Sequence, residues 1–111
     1  MADTLKVLGQ LAPSATTDTT LYTVPSITST TTSSLVICNR SAGALTYRVA
    51  VRPLGAAIAN KHYIYYNKTL AANESFAAIL GMTLDSADVV TVYASSGDLS
   101  FTLFGVETDQ T

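Results

Sequence analysis

The sequence predicts an all-β fold: a single domain, residues 1–111, built as an antiparallel β-sandwich of about eight strands of jelly-roll or Greek-key type. Three observations carry that expectation. Period-two alternation recurs along the chain, most clearly where Leu45, Tyr47, Val49 and Val51 alternate with Thr46, Arg48, Ala50 and Arg52, so that one side is buried and the other meets solvent. Turn formers punctuate it at short intervals: Pro13, Pro25, the run Ser41, Ala42, Gly43, then Pro53, Gly81 and Gly97. No segment reads as a convincing helix. A small closed barrel is the other arrangement for such strands, whereas an immunoglobulin domain is disfavoured by the absence of Trp and of a second Cys.

Leu5, Val7 and Gly9 alternate with Thr4, Lys6 and Leu8, which makes residues 1–11 a first strand or an N-terminal arm. After a polar loop over residues 14–20, a second strand runs to Val24 and stops at Pro25. Thr28 to Asn39 is one long strand, polar and β-branched over its first half and continuously apolar from Leu35 to Cys38, emerging from a polar edge into the core. Asn39 to Gly43 is a turn, and the alternating strand after it ends at Pro53, which has no N–H to give a ladder. An irregular connection leads to a tyrosine-rich strand over residues 62–70. Residues 71–75 are a turn, residues 76–80 a strand, and residues 82–88 a loop before the strand that holds Val89, Val90, Val92 and Tyr93. Ser95 to Asp98 reads as a tight hairpin turn. Leu99, Phe101 and Leu103 alternate in a last strand that ends near Val106, leaving 107–111 as a flexible polar tail.

Charged residues make up 13% of the chain, about half the share usual for a soluble domain. Such a surface is easily desolvated and suits a chain packed against other subunits. A net charge of −2, with six Lys and Arg, argues against nucleic acid as a partner. No apolar run is long enough to span a membrane as a helix, and the start Met1-Ala-Asp-Thr4 lacks the pattern of a signal peptide. Three Asn-x-Ser/Thr sequons, at Asn39, Asn67 and Asn73, are read as chance in a Ser- and Thr-rich chain.

Chemistry is sparse. The single Cys38 is read as a buried small apolar residue. Asp85 and Asp88 are a close acid pair, better suited to capping a turn than to holding calcium. His62 is the one possible catalytic base, and no nucleophile stands in a Gly-x-Ser-x-Gly turn. The expectation is therefore a protein that is not an enzyme and carries no metal or other cofactor. Arg48 and Arg52 share a strand face, a pattern more common for solvated edge charges than for a ligand clamp. Tyr63, Tyr65 and Tyr66, with Tyr47 and Tyr93, form the densest aromatic feature, which suits a core rim, a protein interface or a stacking platform for sugars. Leu5, Val7, Leu8, Arg48, Arg52, Tyr63 and Tyr65 are the candidate interface residues.

YTVP at residues 22–25, VICNRS at 36–41, TYRVAVRPLGAAIANKHYIYY at 46–66, LAAN at 70–73 and DVVTVYAS at 88–95 together resemble a family of small virion structural proteins of tailed bacteriophages. The resemblance covers most of residues 22–105, departing at the polar entry 28–34. It implies a β-sandwich, assembled in the host bacterial cytoplasm, that serves as a capsid cement or decoration protein. Its partners would be the major capsid protein and copies of itself, as dimers or trimers. The alternative position is a tail, baseplate or fibre component that touches host surface glycans. In the first role residues 1–11 would add a strand to a neighbour, with main-chain hydrogen bonds supplying affinity.

Overall fold

Alternating β-branched and aromatic residues between closely spaced turns leave the chain one way to bury its apolar side chains, which is to stack two sheets. The computed structural model describes residues 2–110. Among them are nine strands: β1 (Asp3–Leu11), β2 (Thr19–Thr23), β3 (Thr28–Asn39), β4 (Leu45–Arg52), β5 (Tyr63–Leu70), β6 (Ser75–Ala78), β7 (Thr83–Leu84), β8 (Val89–Ala94) and β9 (Leu99–Asp109). One sheet has the order β1-β9-β3-β6, with β7 also on β3, and the other β2-β8-β4-β5. Every ladder is antiparallel.

Five of those ladders, β1 with β9, β2 with β8, β3 with β6 and with β7, and β4 with β5, form the four successive rungs of one long hairpin whose tip is the connection between β4 and β5. Successive rungs fall in opposite sheets. That is a jelly roll, and it settles the choice left open between sandwich types and a barrel. The core between the sheets is filled by Leu35, Ile37, Leu99, Phe101 and Leu103 from one side and Tyr47, Val49, Val90 and Val92 from the other, each 1% exposed or less. Burying each large apolar side chain contributes roughly 1.5–3 kcal/mol.

Several expectations are corrected. Ser95 to Asp98 is no hairpin turn: β8 lies in one sheet and β9 in the other, so this stretch is a corner between sheets. The Asn39 to Gly43 turn is likewise a corner. It is tied by the buried Asn39 amide, whose Nδ2 donates to the carbonyls of Gly43, Leu70 and Ala71 at 3.0–3.1 Å while its Oδ1 accepts from Ser41 N–H. Polarity ahead of the apolar run does not place the first half of β3 at an edge, since β9 and β7 flank it. Thr30 and Thr32 are buried there because their hydroxyls are satisfied, Thr30 by Tyr22 and Thr32 by Leu80 C=O and Met82 N–H.

Residues 82–88 are not loop throughout, for Thr83 and Leu84 pair with Thr31 and Thr30 as β7. The polar end is not a tail: Thr108 pairs with Asp3 and Ser29, and Asp109 with Thr28, because a strand flanked on both sides needs ladder partners more than apolar content. Residues from Asp3 on form the first strand in the chain's own sheet rather than a free arm, and Met1 and Thr111 lie outside the described residues.

Candidate functional site

Register shifts in β1 and β5 help decide which side chains reach the surface. In β1 alternation alone sends Leu8 to the side opposite Leu5 and Val7, where it joins the core at 9% exposure, and the register shift between Val7 and Gly9 brings Gly9 to that same inner side, opposite Leu103. Gly9 is required at that point, since a Cβ there would collide with the Leu21 carbonyl oxygen of β2. Leu8 is therefore a core residue and no interface contact. Leu5 and Val7 stay outside, opposite Val106 and Phe104 on β9, and are 79% and 46% exposed. With Val36 on β3 they give this sheet an apolar outer face, bordered by Lys6, whose ammonium pairs with Glu107 at 3.4 Å. A hollow of about 390 Å³ lies there, bordered by Leu5, Lys6, Ser33, Phe104, Gly105 and Val106.

The outer face of the other sheet is different in kind. Strand β5 shifts register twice against β4, so Val49 faces Tyr65 and Ala50 faces Tyr63. Tyr65 consequently turns inward, packing edge-to-face on Tyr47 and Phe76, and is no surface anchor. Tyr63 and Tyr66 share the outer face, ring centroids 4.9 Å apart and planes at 78°. Arg48 is held between the rings of Tyr66 and Tyr93, its guanidinium carbon 4.4 and 4.1 Å from the two centroids. Its Nε donates to Asn67 Oδ1 at 2.7 Å, and the Asn67 backbone is left-handed at φ 51°. Each cation–π contact contributes about 0.5–1 kcal/mol at an exposed site.

Arg52 does not float either: it donates to Thr91 Oγ1 at 3.1 Å and to Ala56 C=O at 3.0 Å. Strand β4 lies inside its sheet, between β8 and β5, so neither arginine is the edge charge expected for it. Residues 53–62 fold back over this face and cover Ala50 and Thr91, which are buried although they point outward. The same connection supplies Asn60, which with Tyr63 and Tyr66 lines a shallow depression of about 490 Å³. Tyr66 and Tyr93 belong to the aromatic group marked in the sequence but not to the candidate interface residues, and Asn60 and Asn67 were not marked for this site.

A charge signal marks the same region. Four of the six Lys and Arg, and none of the eight Asp and Glu, lie between Leu45 and Leu70, whereas the rest of the chain carries two cations and all eight acids. The cations are thus not scattered but gathered on the hairpin tip.

Elsewhere polar groups serve the fold. His62 is buried, and its Nδ1 accepts the Ala59 N–H at 3.0 Å. The Asp88 carboxylate accepts from Leu54 N–H and Asp85 N–H, both at 2.9 Å, capping its turn. Cys38, expected to be buried, is only half-buried, because alternation in β3 sends Ile37 and Asn39 inward and Cys38 outward. Asn39, the first sequon, has its amide consumed in the core corner. Tyr22 donates to Glu107 and hydrogen-bonds Thr30 at 2.8 Å, and burial with the Glu107 carboxylate pushes its phenol far above the usual value. Burial pushes the Tyr47 phenol up to about 12. Among the described residues, no three His, Cys, Asp or Glu side chains gather in one place.

Compared with known proteins, the sequence matches no family model and no curated protein.

Proposed function

We propose that this chain is a structural subunit of a tailed-phage virion, a cement or decoration protein that binds the outer face of the major capsid lattice and bridges neighbouring capsomers, alongside copies of itself. The observation that carries the reading is the apolar outer face of the β1-β9-β3 sheet, where Leu5, Val7 and Phe104 stand exposed. Exposed apolar side chains gathered on one side of a small domain mark a protein contact, because covering them releases water without stripping any ion of its hydration. Many copies of one modest contact sum to firm attachment on a lattice, without catalysis. The strand β1 at the sheet edge leaves one side of its backbone free for a neighbour, in place of the arm exchange expected from the sequence.

The second reading, a tail, baseplate or fibre component, draws on the aromatic and basic face of the opposite sheet. Fractionating purified particles separates the two. Stoichiometric recovery with tailless heads, lost in Phe104→Asp chains that still melt cooperatively, supports the cement role. Recovery with isolated tails and absence from heads overturns it.

A further inference from the structure

The face built by β4, β5 and β8 has the parts of a ligand site that a protein contact does not need. Arg48 is immobilised before anything binds: two tyrosine rings sandwich its guanidinium and Asn67 takes its Nε. Its two terminal nitrogens make no hydrogen bond among the described residues, and the whole stretch between Leu45 and Leu70 carries no carboxylate to neutralise them. A planar fork with free donors, held in one geometry, is suited to a carboxylate or sulfate.

Beside it, Tyr63 and Tyr66 meet at 78° and with the Asn60 amide border the depression of about 490 Å³. That volume is of the size that takes a small ligand. A sugar ring presents an apolar C–H face that packs on an aromatic ring and a rim of hydroxyls that an amide can bond. Lys61, exposed in the neighbouring turn, adds positive potential.

We infer that this face is a binding site for an anionic saccharide, with the sugar on Tyr63 and Tyr66, its hydroxyls at Asn60, and its acid group on the terminal nitrogens of Arg48. A flat acidic protein surface would use the charge but leave the depression empty. The site lies on the sheet opposite the apolar one, so a chain held through its apolar sheet leaves it open, and saccharide binding by the isolated chain is tested apart from the cement reading.

The test uses the purified full chain and four polymer probes in a titration calorimeter at low and moderate salt: polygalacturonate, dextran sulfate, neutral dextran and polyglutamate. Binding of polygalacturonate or dextran sulfate at least tenfold tighter than of dextran and of polyglutamate is expected, and the better of the two names the acid group. Arg48→Gln and Tyr63→Ala should each weaken that binding at least tenfold with melting temperature little changed. Asn60→Ala, remote from the arginine stack, keeps the test open if Arg48→Gln fails to fold, with a loss of about threefold to tenfold expected from one hydrogen bond. Polyglutamate bound as tightly as polygalacturonate, dextran bound as tightly as either, or acidic saccharide binding that survives Tyr63→Ala and Asn60→Ala would overturn the inference.

Discussion

The two outer faces of the sandwich share a core and differ in almost everything else. On the β1-β9-β3 side the outward residues are Leu5, Val7, Phe104 and Val106, backed by long strands in regular register apart from single bulges. On the β4-β5-β8 side Arg48 is clamped by Tyr66 and Tyr93, and residues 53–62 fold down over the strands. The first face gains free energy simply by leaving water. The second has fixed donors and aromatic walls, which give orientation and selectivity at a small contact. One backbone architecture therefore carries a broad unselective surface and a narrow selective one, and the core between them keeps the two independent.

The change with the largest expected effect should erase that difference. Phe101 is fully buried against Tyr47, behind both faces. Phe101→Ala is expected to cost about 3–5 kcal/mol in a urea titration and to lose particle attachment and saccharide binding together. Asn39→Ala comes next: it leaves the carbonyls of Gly43, Leu70 and Ala71 without their buried donor, for an expected loss of about 1–3 kcal/mol. The tie joins β3 of one sheet to the β5 end of the other, so faster amide exchange should start at that corner and spare the Arg48 stack.

Alkali gives a third and smaller effect. Tyr47 titrates above its ordinary value of 10.0, at about 12, because its neutral form is the one the core accepts. The unfolded chain loses that proton first, so it binds fewer protons than the folded chain between those two values and stability falls as pH rises through that window. Thermal melts should be flat up to about pH 10 and decline beyond it, less steeply in Tyr47→Phe. The smallest change in stability is expected for Leu5→Asp, within about 0.5 kcal/mol, since the side chain is 79% exposed. If it abolishes particle attachment while Arg48→Gln leaves attachment intact, the faces are separable as described.

Much of the sandwich was legible from alternation and turn residues. Thr28 to Asn39 reads as one strand in the sequence and is one, because twelve residues without Gly or Pro leave no place to break. What alternation does not reveal is a slip of one residue. Counting by twos puts Tyr63 and Tyr65 together, whereas the bulges in β5 put Tyr63 with Tyr66 and send Tyr65 to the core. Leu8 needs no slip, since alternation already sets it opposite Leu5 and Val7; what goes unseen beside it is the bulge that brings Gly9 against Leu21. Turn residues predict reversal of direction but not which sheet receives the next strand, so the corner at Ser95 to Asp98 reads like a hairpin. The site was half visible: Arg48, Arg52 and Tyr63 were marked, while the segregation of cations on one hairpin lay in the sequence and goes unseen in a count of net charge.

The place of β9 has a consequence for how the molecule is made. It is emitted after every other strand, yet it sits in the interior of its sheet, between β1 and β3, and Asp3 must wait for Thr108 at a separation of 105 residues. Until then the apolar stretch of β3 has β6 on one side and nothing on the other. A nascent chain halted before Leu99 would expose that bare flank to its siblings on the same polysome, and a holdase should find its grip there.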